Sequence, residues 1–179
     1  IFLVNLIILS MLILFPKKIL LTLFGTDYIS GYSVLIILSV ANFLYALAQT
    51  QNQSLLVYER TKTISVITAV GAGINVILNA ILVPVYGILG AGMATGIALA
   101  IMSISFYIVS YKITNINPLK FPVFRIFFSV IISSFAVYFF VKILNFLPNI
   151  IVLVVSIIIL SAVYMLALLI TKSINEDDL

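Results

Sequence analysis

Long, uninterrupted apolar runs constrain this chain more than any other feature. One of them, IVLVVSIIILSAVYMLALLI, occupies residues 151–170 and contains no charged side chain. A helix of about 20 residues, rising about 1.5 Å per residue, is as long as the hydrocarbon core of a bilayer is thick. Backbone polar groups in that layer need partners within the chain, and the run lacks the alternation of a barrel strand. The sequence therefore predicts membrane-spanning helices.

Composition favours the same fold class, because 64% of the residues are hydrophobic and only 8% are charged. Soluble domains have about 45–50% apolar and about 25% charged residues. We predict an all-α, polytopic bundle of six spans, at about residues 1–15, 32–57, 62–83, 87–111, 122–144 and 149–171. The first run is too short to cross a bilayer, which predicts a truncated first helix and a C-terminal fragment. Residues 17–25 are too short to span and predict either an interfacial segment or a short helix that leads into the next span.

The basic residues predict the orientation of these spans. With six crossings, one side of the membrane carries Arg60, Lys62, Lys112, Lys120, Arg125 and Lys172, and the other carries Lys17, Lys18 and Lys142. The positive-inside rule then makes residues 112–121 a cytoplasmic loop and residues 172–179 a cytoplasmic tail of a cell-membrane protein. The same residues are too dispersed for a nucleic-acid surface.

Two of the predicted spans carry polar residues along one face. Ser39, Asn42, Ala46, Gln49 and Gln53 recur at spacings of three and four, as do Ser65, Thr68, Ala72, Asn75 and Asn79. An amide without a partner in hydrocarbon costs several kcal/mol, so these rows predict either helix–helix hydrogen bonds or the wall of a hydrated cavity. Gly92 and Gly96 form a Gly-x-x-x-Gly spacing, which predicts close helix packing.

Several kinds of chemistry are excluded by residues that the sequence lacks. It has neither cysteine nor histidine, and its acids, Asp27, Glu59, Glu176, Asp177 and Asp178, lie outside the predicted spans. We therefore expect no metal site, no cofactor and no enzymatic activity, and no buried carboxylate for a proton relay.

Residues 20–96 resemble the polysaccharide and oligosaccharide-lipid flippases of the multidrug/oligosaccharidyl-lipid/polysaccharide exporter superfamily. The strings that carry the resemblance are LTLFGTDYISGYSVLIIL, LLVYERTK and GINVILNAILVPVYGILGAGMATGIA. It implies two six-helix lobes around a central cavity that moves a lipid-linked glycan by alternating access. Residues 1–111 would be the last four helices of the second lobe, and residues 122–171 two additional, peripheral helices. The N-terminal lobe would be missing from this sequence.

From this resemblance and the polar rows, we expect a transporter that moves lipid-linked oligosaccharide or polysaccharide precursors. The candidate cavity-lining residues are Asn42, Gln49, Gln53, Asn75 and Asn79. Arg60 and Lys62 are candidates for attracting an anionic lipid headgroup. The expected partners are membrane lipid and the lipid-linked glycan. Two alternatives remain open: a multidrug or cation exporter of the same fold, and a membrane scaffold that transports nothing.

Overall fold

The computed structural model describes residues 2–114, 131, 134–135, 137–139, 141 and 148–170. Its helices are α1 (Phe2–Leu14), α2 (Pro16–Leu23), α3 (Tyr32–Val57), α4 (Thr61–Tyr86), α5 (Ile88–Thr114) and α6 (Asn149–Ile170). A 3-10 helix, Thr26–Gly31, precedes α3, and the described residues from 131 to 141 are also helical. The described part of the chain contains no strand, which confirms the predicted all-α class.

Four described helical segments are long and apolar enough to cross a membrane: Thr26–Val57, Thr61–Tyr86, Ile88–Thr114 and Asn149–Leu166. A fifth crossing is present if the bent pair of α1 and α2 counts as one span. These helices are compatible with a multi-pass membrane protein. The predicted span at 122–144 and the tail at 172–179 lie mostly or wholly outside the described residues. The first three residues of the predicted loop at 112–121 are helical, because α5 continues to Thr114, and the rest of that range lies outside the described residues.

A sharp bend separates α1 from α2. The two helices meet at 88° at Phe15, and Pro16 is the first residue of α2. Proline suits that position because its missing N–H would have no helical partner there. Gly25, at φ +94°, follows α2, and its N–H donates to the Leu20 carbonyl over 3.1 Å. The short helix predicted at 17–25 is thus present as Pro16–Leu23.

Two tight turns set the ends of α4. Before it, Glu59 has a φ of +55°, and the Arg60 N–H donates to the Leu55 carbonyl at 2.9 Å, a backbone pattern that closes α3. After it, Gly87 has a φ of +57°. Pro84 lies inside the last turn of α4. The helix continues to Tyr86, which is three residues beyond the predicted boundary at 83. Proline at position 84 removes the hydrogen bond that a backbone N–H would donate to the Ala80 carbonyl.

The described residues group into two compact units. One combines Leu3–Asp27 with the described part of Pro118–Leu179, and its buried core is Met11, Phe15, Val137, Val141, Val152 and Leu160. The other, Tyr28–Asn117, contains α3, α4 and α5. This grouping cuts across the predicted lobe at 1–111, because α1 packs with the C-terminal residues. The predicted polar rows both lie in the second unit.

Candidate functional site

α3 and α5 run parallel and approach each other closely at two glycines of α5. A Cβ atom built on Gly92 would lie 2.9 Å from the Cγ1 atom of Val34, and one built on Gly96 would lie 3.1 Å from the Cγ2 atom of Ile37. Ala41 is the next nearest neighbour of Gly96. The Gly-x-x-x-Gly spacing of α5 therefore lies where α5 contacts α3.

α4 packs antiparallel on another side of α5. The side chain of Met102 lies against Gly71, and Gly90 lies beneath the carbonyl of Leu82. α3 and α4, in contrast, have little direct contact with each other. Within the described unit, α5 is therefore the packing partner that α3 and α4 share.

Near the turn between α3 and α4, apolar side chains join all three helices. Ala48 and Leu55 of α3 are buried together with Met102 and Phe106 of α5. The cluster is completed by partly buried side chains from all three helices: Tyr45, Ile64, Ile67, Val109 and Ile113. The unit is thus packed by apolar contacts at the end that carries Arg60.

The amides of α4 form a chain of hydrogen bonds that leads to α5. The Asn79 Nδ2 atom donates to the Asn75 carbonyl at 2.9 Å and also to the Asn75 Oδ1 atom. The Asn75 Nδ2 atom in turn donates to the Thr95 Oγ1 atom at 3.5 Å. All three hydrogen bonds are partly buried. The structure thus joins the two candidate asparagines and adds Thr95, which was not among the cavity-lining residues predicted from the sequence.

The polar residues of α3 bond mainly within their own helix. The Asn42 Nδ2 atom donates to the Leu38 carbonyl at 2.8 Å, and the Asn52 Nδ2 atom donates to the Gln49 Oε1 atom at 3.1 Å. Asn42 and Gln53 are exposed, whereas Gln49 is half-buried. Asn52 was also missed by the sequence analysis, although its spacing of three from Gln49 is that of helical neighbours.

Helical geometry orients the two rows relative to α5. Seen from the N-termini of the parallel helices α3 and α5, successive residues turn clockwise by about 100°. On α3, Asn42 and Gln49 lie about a quarter turn clockwise from the face that contacts α5. On α5, Thr95 lies about a quarter turn anticlockwise from the face that contacts α3. Because the two faces look toward each other, all three residues point to the same side of the α3–α5 contact. Asn75 lies on that side too, because it bonds to Thr95. We call this side the α3–α4 groove, bordered by Asn42, Gln49, Asn75, Asn79 and Thr95.

Two basic residues lie at the turn between the helices that border the groove. Arg60 immediately precedes α4 and Lys62 is in its first turn, and both side chains are exposed. Gln53 lies one to two turns before this point on α3. The described residues contain no cluster of side chains that could hold a metal ion.

No family model, curated protein or solved structure matches the chain. The features that bear on function are therefore the α3–α4 groove and the resemblance of residues 20–96.

Proposed function

We propose that the chain forms part of a transporter that moves lipid-linked oligosaccharide or polysaccharide precursors across the cytoplasmic membrane. In this proposal α3, α4 and α5 provide one wall of the pathway, opposite a second lobe. The observation that carries the proposal is that two rows of amides, on separate apolar helices, border the same groove.

The free-energy cost of placing an amide in hydrocarbon supports a hydrated groove. Asn42 and Gln53 remain exposed on a helix that is apolar enough to span the membrane. An Asn or Gln amide offers two donors and two acceptor sites, which is more than the single bond of Asn42 to its own helix uses. Such groups cost several kcal/mol in hydrocarbon, so they favour contact with water or a polar cargo.

The residue types suit a glycan carried on a lipid phosphate. Amide groups can both donate to and accept from sugar hydroxyls, so Asn42, Gln49, Gln53, Asn75 and Asn79 would contact the glycan. Arg60 and Lys62 would attract the phosphate at one end of the pathway. Alternating exposure of the groove to the two sides of the membrane would then move the cargo.

The test is substitution of two groove residues in the protein reconstituted into vesicles that contain a lipid-linked oligosaccharide. For Asn79→Leu and for Asn42→Leu, we expect the translocation rate to fall by roughly tenfold, which corresponds to about one lost hydrogen bond to a polar group. Folded yield should change less than the rate. Asn42→Leu is the sharper variant, because Asn42 bonds only to its own helix among the described residues.

Ile77→Leu serves as the matched control, since Ile77 is an exposed apolar residue of α4. Its translocation rate should equal that of the unmodified protein. A normal rate in both groove variants, at normal yield, would remove the groove from the transport pathway.

A membrane scaffold is the second candidate, and one observation favours it. The bond from Asn75 to Thr95 joins α4 to α5, as expected for an amide that only holds helices together. This candidate predicts that Asn75→Leu lowers stability and that the surviving folded protein transports at the normal rate. A cation exporter predicts instead that transport of small cations, and not of lipid-linked glycan, depends on Asn42.

A further inference from the structure

A cleft of about 520 Å³ opens at the bend between α1 and α2. Its apolar wall includes Ile13, Leu14 and Phe15 from the end of α1, together with Val141. Phe15 and Val141 also belong to the buried core of this unit, which supports the wall from behind. The volume is within the range of ligand pockets, about 300–1,000 Å³.

The rim of the cleft is polar and positively charged. Lys17 and Lys18, adjacent in the first turn of α2, both line it, as does Tyr138. Each lysine ammonium has three N–H donors, so it can keep the contacts it already makes and still bind an anion. The cleft therefore combines an apolar wall with two cations at one edge.

The sequence predicts that this bend lies at the membrane interface. α1 is apolar except for Asn5 and Ser10, while α2 is turned 88° from it and carries both lysines. A helix of this kind lies along the membrane interface when its neighbour lies across the bilayer. Ile13 and Leu14 lie on the α1 side of the bend and Lys17 lies on the α2 side, so the apolar wall and the lysines come from different helices.

We propose that this cleft binds an anionic phospholipid of the surrounding bilayer. The lipid phosphate accepts hydrogen bonds from Lys17 and Lys18, and one acyl chain packs against Ile13, Leu14 and Val141. The site belongs to a different unit from the α3–α4 groove, so it stands whether or not that groove transports a glycan.

Fluorescence quenching can test the site, because the sequence contains no tryptophan. Tyr138→Trp places a single reporter at the rim of the cleft. The protein is reconstituted into phosphatidylcholine vesicles that contain an equal fraction of either brominated phosphatidylglycerol or brominated phosphatidylcholine. We expect a roughly tenfold preference for the anionic lipid, and a further excess of unbrominated phosphatidylglycerol should relieve the quenching.

The lysines are tested in the same background. Lys17→Gln combined with Lys18→Gln should abolish the preference, whereas Lys17→Arg combined with Lys18→Arg should keep it. Lys112→Gln, which removes a positive charge from the other unit, should leave it unchanged. Equal quenching by the two lipids, or a preference that persists in the double glutamine variant, overturns the proposal. Relief of quenching by inorganic phosphate alone would also overturn it, because that result assigns the cleft to a soluble anion.

Discussion

The side chain of Met102 on α5 fills the space over Gly71 on α4 in which any other residue would place its Cβ atom. Both residues are buried, whereas most of α4 is exposed. This contact is therefore a principal attachment of α4 to its neighbour.

Replacing Gly71 by Ala should lower the free energy of unfolding by about 1–3 kcal/mol, because the new methyl group collides with the Cγ and Sδ atoms of Met102. Gly73→Ala is the matched control, since nothing lies within 4 Å of its Cβ position. There the helix propensity of alanine should raise stability by up to about 1 kcal/mol. Thermal melting of the purified protein in detergent compares the two. Adding Met102→Ala should relieve the cost of Gly71→Ala, and an unrelieved cost would contradict the proposed collision.

The hydrogen bond between Asn75 and Thr95 should appear as an energetic coupling. A double-mutant cycle with Asn75→Ala and Thr95→Val should give about 0.6 kcal/mol, the average for such bonds within membranes. A cycle with Asn75→Ala and Gln49→Ala should be additive within about 0.5 kcal/mol, because α3 and α4 have little direct contact. Equilibrium unfolding measures both cycles. Strong coupling of Asn75 to Gln49 would show that the two rows meet directly.

Glu59 has a backbone conformation that favours glycine, so Glu59→Gly should stabilise the protein. Its φ of +55° lies in the left-handed region, which costs an L-residue roughly 1–2 kcal/mol. We expect the melting temperature to rise, with a gain of about 1 kcal/mol in the free energy of unfolding. Glu59→Ala is the control and should show no such gain, because alanine keeps the Cβ atom. Equal effects of the two substitutions would indicate loss of the carboxylate as the cause.

The predicted orientation can be tested by labelling, because the sequence contains no cysteine. Tyr58→Cys places a thiol in the turn before α4, Tyr86→Cys places one at the last residue of α4, and both positions are exposed. The positive-inside rule predicts that an impermeant maleimide added to intact cells labels position 86 and leaves position 58 unlabelled until the membrane is opened. The reverse pattern would contradict the predicted orientation of α4.

The sequence predicted helices well where an apolar run ends at polar or turn residues. The predicted span at 32–57 coincides with α3, which ends at the polar stretch Tyr58–Arg60. The predicted end of the next span, at residue 83, was three residues too early, because Pro84 does not end α4. The sequence also predicted the break between α1 and the short helix at 17–25, but the angle of 88° between them was visible only in the structure.

The composition of the polar rows was visible in the sequence, but their neighbours were not. Periodicity placed Asn75 and Asn79 on one face of α4, and the structure joins them. Periodicity does not say which helix lies against that face. The answer depends on shape, since Gly92 accommodates Val34 and Gly71 accommodates Met102. Such complementarity between distant residues leaves no repeating pattern in the chain.

The position of α5 as the shared neighbour of α3 and α4 has a consequence for biogenesis. A ribosome adds about 5–20 residues per second, so α3 and α4 reach the insertion machinery a few seconds before the whole of α5 follows them. During that interval α3 and α4 lack α5, the helix against which both of them pack. Assembly of this unit is thus completed by α5, the last of its described helices to be synthesised.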